Sequence, residues 1–259
     1  MANVDTIAPG APVWADLSTS DFTRAAAFYH AVFGWDVPEG TADFGGYATA
    51  TLRGANVAGL SPKWGDPGAA EAPDAWTVYL HTPDAAAAAS TITANGGQLM
   101  MDPMEVGSFG TMAVGTDPAG AVFGIWQPNT HKGFGVFADA GAPCWFETLS
   151  QDVEKAKAFY PATFGLGLQT TTMEDGSDYN VLLAKDEMVA GITDATSFAA
   201  PGTPSHWLLY LGVPDTDAAI AQIESLGGAV VTPAQDSEFG RWAIVADPMG
   251  AVFAIVSVG

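Results

Sequence analysis

The chain has 259 residues, 48% of them hydrophobic, and a formal net charge of −21 from 29 acids against 8 bases. That apolar content can fill one large core or two ordinary ones and argues against disorder. The charge excludes nucleic-acid and anionic-membrane partners, which both require a cationic surface, and otherwise serves solubility.

Met1 to Pro12 has neither the basic start nor the apolar run of a secretory signal, and no stretch is long and apolar enough to span a membrane. Val13–Leu17 is a short apolar run of strand character, followed by the N-cap candidates Ser18 to Asp21. Apolar residues then fall at helical spacing from Phe22 to Phe33, with Gly34 as a natural stop. Strands are expected at Tyr47–Leu52, Ala55–Leu60 and Trp76–His81. Pro83 opens a second, Ala-rich helix that ends at Gly96-Gly97. Strands at Thr111–Thr116 and Val122–Gln127 close the unit, joined by the turn Asp117-Pro118-Ala119-Gly120. A single cysteine, Cys144, forbids an intramolecular disulfide and fits a reducing, cytoplasmic compartment; it reads as a small buried hydrophobe. His81 is expected to face solvent, and His30 and His131 carry no signal.

The same order recurs further along the chain. Trp14, Asp21, Phe28-Tyr29, Phe33-Gly34, Trp76, Tyr79-Leu80, Pro83-Asp84 and Gly96-Gly97 reappear 131 residues later, at Trp145, Asp152, Phe159-Tyr160, Phe164-Gly165, Trp207, Tyr210-Leu211, Pro214-Asp215 and Gly227-Gly228. Phe109-Gly110, Asp117-Pro118 and Gly120 to Phe123 reappear after 130 residues, at Phe239-Gly240, Asp247-Pro248 and Gly250 to Phe253. The chain is thus a duplication, with copies at 11–127 and 142–259 and a linker at 128–141 that Phe134 and Phe137 should keep packed.

These motifs resemble the glyoxalase/bleomycin-resistance/extradiol-dioxygenase superfamily, also called vicinal oxygen chelate. The carrying features are the first strand leading to Asp21-x-x-x-Ala25-x-x-Phe28-Tyr29-x-x-x-Phe33-Gly34, then Tyr-Leu-x-x-Pro-Asp, Gly-Gly and Asp-Pro-x-Gly-Ala-Val-Phe, each present in both halves. Within the superfamily the chain is similar to the two-module actinobacterial group labelled glyoxalase-like antigens or hydroxylases. The resemblance implies an α+β fold of tandem βαβββ modules, four per chain, whose curved mixed sheets form two pseudo-twofold-related half-barrel cavities. Function does not follow, because the fold hosts isomerases, dioxygenases, thiol transferases and drug binders.

The resemblance also says where a metal would be held. The corresponding places carry Trp14, Thr77 and Gly124 in the first half, and Trp145, Leu208 and Ala254 in the second. Five of these cannot ligate through their side chains and a threonine hydroxyl is a poor ligand, so no family-type metal site and no cofactor is expected. The runner-up is a displaced site using Asp16, Glu147 and His206.

Side chains two apart on a strand share a face. Asp16, Glu147, His206, Tyr79 and Tyr210 therefore line the cavities beside the vacated places, with Trp14 and Trp145 where the metal would stand and Thr77 adding a hydroxyl. Each tryptophan is a wall filler, a stacking platform, or both. The two carboxylates, costly inside an apolar strand, are either paired structurally, with Arg241 or main-chain amides as partners, or reserved for a ligand. Four functions compete: metal-independent binding of a small apolar or aromatic molecule, metal-free acid/base catalysis by Asp16, Glu147 or His206, a glyoxalase-type lyase or hydroxylase, and a degenerate copy with a purely structural or interaction role. The expected partner is a small-molecule ligand, and the duplicated chain is a monomer or a homodimer.

Overall fold

A computed structural model describes residues 7–63, 72–173, 176, 178–197, 199 and 202–259. The first six residues, where the absence of a secretory pattern was read, lie outside the described residues. The first half runs β1 (Pro12–Thr19), α1 (Phe22–Phe33), β2 (Ala48–Leu52), β3 (Ala55–Pro62), β4 (Ala75–His81), α2 (Ala85–Ala94), β5 (Gln98–Val106), β6 (Gly110–Thr116) and β7 (Val122–Pro128). The second half runs β8 (Pro143–Ser150), α3 (Val153–Phe164), β9 (Gly167–Thr172), β10 (Asp178–Ala184), β11 (Glu187–Asp194), β12 (His206–Val213), α4 (Thr216–Ser225), β13 (Ala229–Ser237), β14 (Gly240–Ala246) and β15 (Val252–Ser257). Among the described residues no helix is long and apolar enough to cross a membrane.

The expected punctuation sets the helices. Asp21 and Asp152 accept a hydrogen bond from the backbone N–H three residues on, capping α1 and α3, and Gly34 and Gly165 end them in the left-handed conformation. Asp84 and Asp215 cap α2 and α4 in the same way. Pro83 stands one place before that cap, outside the helix, so it shapes the approach to α2 rather than filling its first turn.

Each half folds its strands into one mixed sheet, in the order β2-β3-β1-β4-β7-β6-β5 and β13-β14-β15-β12-β8-β11-β10-β9. The two βαβββ units of a half join where β1 pairs antiparallel with β4, and β8 with β12. Sheets are therefore completed inside each half, not across the pair. In the first unit the strand after α1 shrinks to the bridges Asp36–Thr51 and Thr41–Tyr47. Pro38 lies between them and has no N–H to donate, whereas its counterpart β9 pairs along its whole length. The edge strand β5, bulged at two places and carrying Pro103, shows no hydropathy alternation in its sequence (Leu99, Met100 and Met101 are consecutive) and is absent from the expected elements.

What crosses between halves is the helical layer. Phe28, Tyr29 and Phe33 of α1 pack on Phe253 of β15, and Phe159, Tyr160 and Phe164 of α3 pack on Phe123 of β7. The two buried tyrosines then hydrogen-bond across the pseudo-twofold axis. Trp207 Nε1 donates to the Tyr160 hydroxyl at 2.9 Å, which donates to Asp117 Oδ2 at 2.9 Å. Reciprocally, Trp76 Nε1 donates to Tyr29 at 3.1 Å, which donates to Asp247 Oδ2 at 3.2 Å. The other oxygen of each aspartate accepts two backbone N–H groups of its own turn. The linker lies along this join: the Phe134 N–H donates to the Val13 carbonyl, and Phe134 and Phe137 stack on Phe146.

Removing the Tyr160 hydroxyl strands a buried carboxylate oxygen and a buried indole N–H together. Tyr160→Phe should therefore lose about 1–3 kcal/mol of stability, read as a lower urea midpoint with an unchanged slope. An unchanged midpoint would mean that the cross-half hydrogen bond does not hold the halves together.

Candidate functional site

Alternation along β1 sends Val13, Ala15 and Leu17 to the helical layer, where all are fully buried, and Trp14, Asp16 and Ser18 to the opposite, concave face. On the neighbouring strand Tyr79 stands opposite Trp14 and Thr77 opposite Asp16. The second half repeats this with Tyr210 opposite Trp145 and Leu208 opposite Glu147. The structure thus gathers Trp14, Asp16, Thr77 and Tyr79 in one cup, and Trp145, Glu147 and Tyr210 in the other.

Each carboxyl sits in a net of aromatic donors. Trp14 Nε1 donates to Asp16 Oδ1 at 2.7 Å and to the Tyr47 hydroxyl at 2.8 Å, and Tyr47 donates to the same Asp16 oxygen at 2.7 Å. In the second half Tyr179 donates to Glu147 Oε1 at 2.6 Å and Tyr210 to Oε2 at 2.8 Å, while Trp145 Nε1 donates to Tyr179 at 3.0 Å. Trp14 and Trp145 therefore do more than fill wall: their N–H groups orient the groups that hold the carboxyls. The partners of the carboxyls are phenols and indoles of their own cups. Arg241 instead pairs with Asp217 and Asp236 at the surface, so it is neither the partner of Glu147 nor a cup residue.

Tyr47, in the bridge just before β2, and Tyr179, on β10, escaped the sequence analysis because no repeated motif had been placed there. A signal existed. Tyr47 to Tyr179 and Gly59 to Gly191 share an offset of 132, one residue longer than the flanking repeat. The glycines are part of the same construction. A Cβ on Gly59 would lie 2.0 Å from Asp16 Oδ1 and 2.1 Å from the Tyr47 hydroxyl, and one on Gly191 would lie 2.6 Å from the Tyr179 hydroxyl. Only glycine lets carboxyl and phenol meet over the sheet at these points.

Burial without a cationic partner sets the electrostatics. It pushes Asp16 up to about 6, against hydrogen bonds from Tyr47, Trp14 and Tyr79 that pull the other way. Burial likewise raises Glu147 against Tyr179, Tyr210 and Trp145, and raises the four phenols well above their ordinary range. Cys144 is pushed up to about 12 by burial and stays a thiol.

The remaining expected residues fall outside the nets. His206 starts β12 opposite Leu149, its Nδ1 2.9 Å from the Pro204 carbonyl oxygen. Asp16 and Glu147 belong to different sheets, so the displaced trio Asp16, Glu147 and His206 is not assembled. No group of three His, Cys, Asp or Glu suited to a metal exists among the described residues. At the family places Trp14, Gly124, Trp145, Leu208 and Ala254 offer no side-chain ligand and Thr77 only a hydroxyl, so the residues there do not fit a metal ion. His81 is half-buried rather than solvent-facing, and burial lowers its pKa. His131, silent in the sequence, packs edge-on against Trp14 at 4.4 Å. Two surface grooves of about 310 and 570 Å³ lie beside His81 and beside α1, and neither is lined by a cup carboxyl.

The family model for the glyoxalase/bleomycin resistance protein/dioxygenase superfamily matches residues 11–125 and 145–255. The chain belongs to this superfamily. Within it, the chain is 38% identical over 251 residues to the provisionally named glyoxylase CFP32 of Mycobacterium tuberculosis (strain CDC 1551 / Oshkosh), covering 95% of this chain and 94% of that protein. It is 35% identical over 264 residues to the anthracycline biosynthesis protein DnrV of Streptomyces peucetius, covering 97% and 94%. The fold of the superfamily is shared with the Mn(II)-bound glyoxalase of Novosphingobium aromaticivorans, with a TM-score of 0.66 at 13% identity over 97% of this chain and 83% of that one. It is shared also with the 2,3-dioxygenase LapB of Pseudomonas sp. KL28, with a TM-score of 0.64 at 13% identity over 98% and 94%.

The raised Asp16 gives a pH test. Between its ordinary value of 3.8 and about 6 the folded chain holds a proton that the unfolded chain releases, so this group's stabilising effect is full below that window and is lost as pH rises through it. Asp16→Asn keeps the acceptor but cannot ionise. Relative to the parent, the variant should gain about 1–2 kcal/mol between pH 4 and pH 8, after a discount for partial exposure, in urea denaturation at both values. An equal difference at both pH values would show that burial does not hold Asp16 neutral.

Proposed function

We propose that the protein binds a small aromatic molecule in its cups without a metal ion, as a sequestration or resistance protein of the superfamily. One observation carries this reading: the places where metal-using members hold their ion carry Trp14, Thr77, Gly124, Trp145, Leu208 and Ala254, while beside them stands a carboxyl fixed by phenols. Aromatic walls with a few convergent polar groups are the usual make-up of a small-molecule site. The carboxyls favour a ligand bearing a basic or hydrogen-bond-donating group, and the net charge of −21 attracts cations over anions. The name of the relative DnrV supports a polycyclic aromatic of the anthracycline class as the first ligand to try.

A second reading is metal-independent acid/base catalysis. The position of Asp16, at about 6, favours it, because a group poised near neutrality can both give and take a proton.

Protein purified without a tag and then incubated with nickel, zinc, iron or manganese should hold metal far below one ion per chain by mass spectrometry. Tight stoichiometric metal would overturn the reading. Doxorubicin, an anthracycline with an amino sugar, should bind in a fluorescence titration. Asp16→Asn should weaken that binding about tenfold, the loss of one charge-assisted hydrogen bond. Binding left intact with turnover abolished would favour catalysis instead.

A further inference from the structure

Duplication made the two cups alike, and the structure shows where they parted. At the Ser18 end of each cup the paired positions are Ser18 and Leu149, and Thr77 and Leu208. In the second half Leu149, Leu208, Ile244 and Ala254 are all buried. They form with Ala195 a hydrophobic cluster separate from the main core, which seals that end. In the first half Ser18 and Thr77 keep partial exposure.

The opposite end reverses the pattern. Trp14 and Tyr79 are only 3% and 6% exposed, because the linker returns over them: His131 stacks edge-on against Trp14, Phe134 packs on it at 5.3 Å, and the Trp126 indole holds the His131 carbonyl. Phe44 and Phe109, from opposite edges of the sheet, meet at 5.4 Å, and the backbone ties Phe109 to Asn129 and His131 of the same linker. In the second half, Trp145 and Tyr210 keep partial exposure and Phe239, the counterpart of Phe109, is 65% exposed.

We propose that the two cups are two different sites, open at opposite ends. The first admits a polar, donor-bearing group to Asp16, Ser18 and Thr77. The second admits an aromatic ring to Trp145 and Tyr210. This deepens the small-molecule reading, since it assumes that ligands occupy the cups, but the openings can be measured with no ligand present.

In a Cys144→Ser background, Ser18→Cys and Leu149→Cys are labelled with a small methanethiosulfonate reagent. Ser18→Cys should react at least about tenfold faster, because Leu149→Cys must wait for local opening. Thr77→Cys against Leu208→Cys repeats the comparison should the first pair fold poorly. Acrylamide quenching reads the other end: Trp145→Phe should remove quenchable fluorescence, whereas Trp14→Phe should remove only protected emission. Equal labelling within a pair, or equal quenching of Trp14 and Trp145, would overturn the proposal. A failure of doxorubicin to bind would count against the small-molecule reading and would leave both accessibility measurements standing.

Discussion

The fold turns on two tyrosines that each reach into the other half. Tyr29 and Tyr160 sit on the helices that follow the first strand of each copy, yet their hydroxyls end on Asp247 and Asp117, in turns of the opposite copy. An aspartate that caps its own turn with one oxygen leaves the second lone and buried. The phenol supplies its missing donor, and a tryptophan from the phenol's own half supplies the phenol's. Each half is thus polar-incomplete without its partner copy. Phe253 and Phe123 add the apolar reason for the same arrangement, since the helices that cover them come from across the axis. With the helical layer committed to the join, the other face of each sheet is left as a cup.

That division of faces explains how carboxyls persist within strands that are otherwise apolar. A carboxylate buried alone would be ruinous, and one paired with arginine would tie the cup to a cation. Phenol and indole donors offer a third solution. They satisfy the oxygens without supplying a positive charge, so burial still raises the pKa of both carboxyls, to about 6 at Asp16. The glycines opposite Asp16 and Glu147 are the steric condition for this solution, because a methyl group at either place would push carboxyl and phenol apart.

Strict periodicity and paired motifs made the repeat, the helices, their caps and the cup-facing members of β1, β4, β8 and β12 legible in the sequence. Alternation from Trp14 and Trp145 was enough to place Asp16, Glu147, Tyr79 and Tyr210 on the right face, because a strand's period is fixed by its backbone. Partners that depend on the third dimension were not legible. Tyr47 reaches Asp16 across Gly59, which has no side chain to keep them apart, and Arg241 misses Glu147 because acids on α4 and β13 hold it. The two meanings of Asp-Pro-x-Gly show the same limit. It is a turn by its local chemistry, and it is also the anchor of the opposite half, which no local reading contains.

Tandem duplication in one chain carries a further consequence that a symmetric pair of separate chains would not share. The linker after the first copy crosses the join to reach the second copy. On its way it covers Trp14 with His131 and Phe134. With that end of the first cup covered by the linker, the proposed approach to Asp16 lies at the other end. Small polar residues, Ser18 and Thr77, stand along it. The second cup carries leucines at the same end, Leu149 and Leu208, that stabilise by burial. The linker thus covers the first cup where Trp145 and Tyr210 of the second keep partial exposure, and the side chains at the far end differ in the opposite sense.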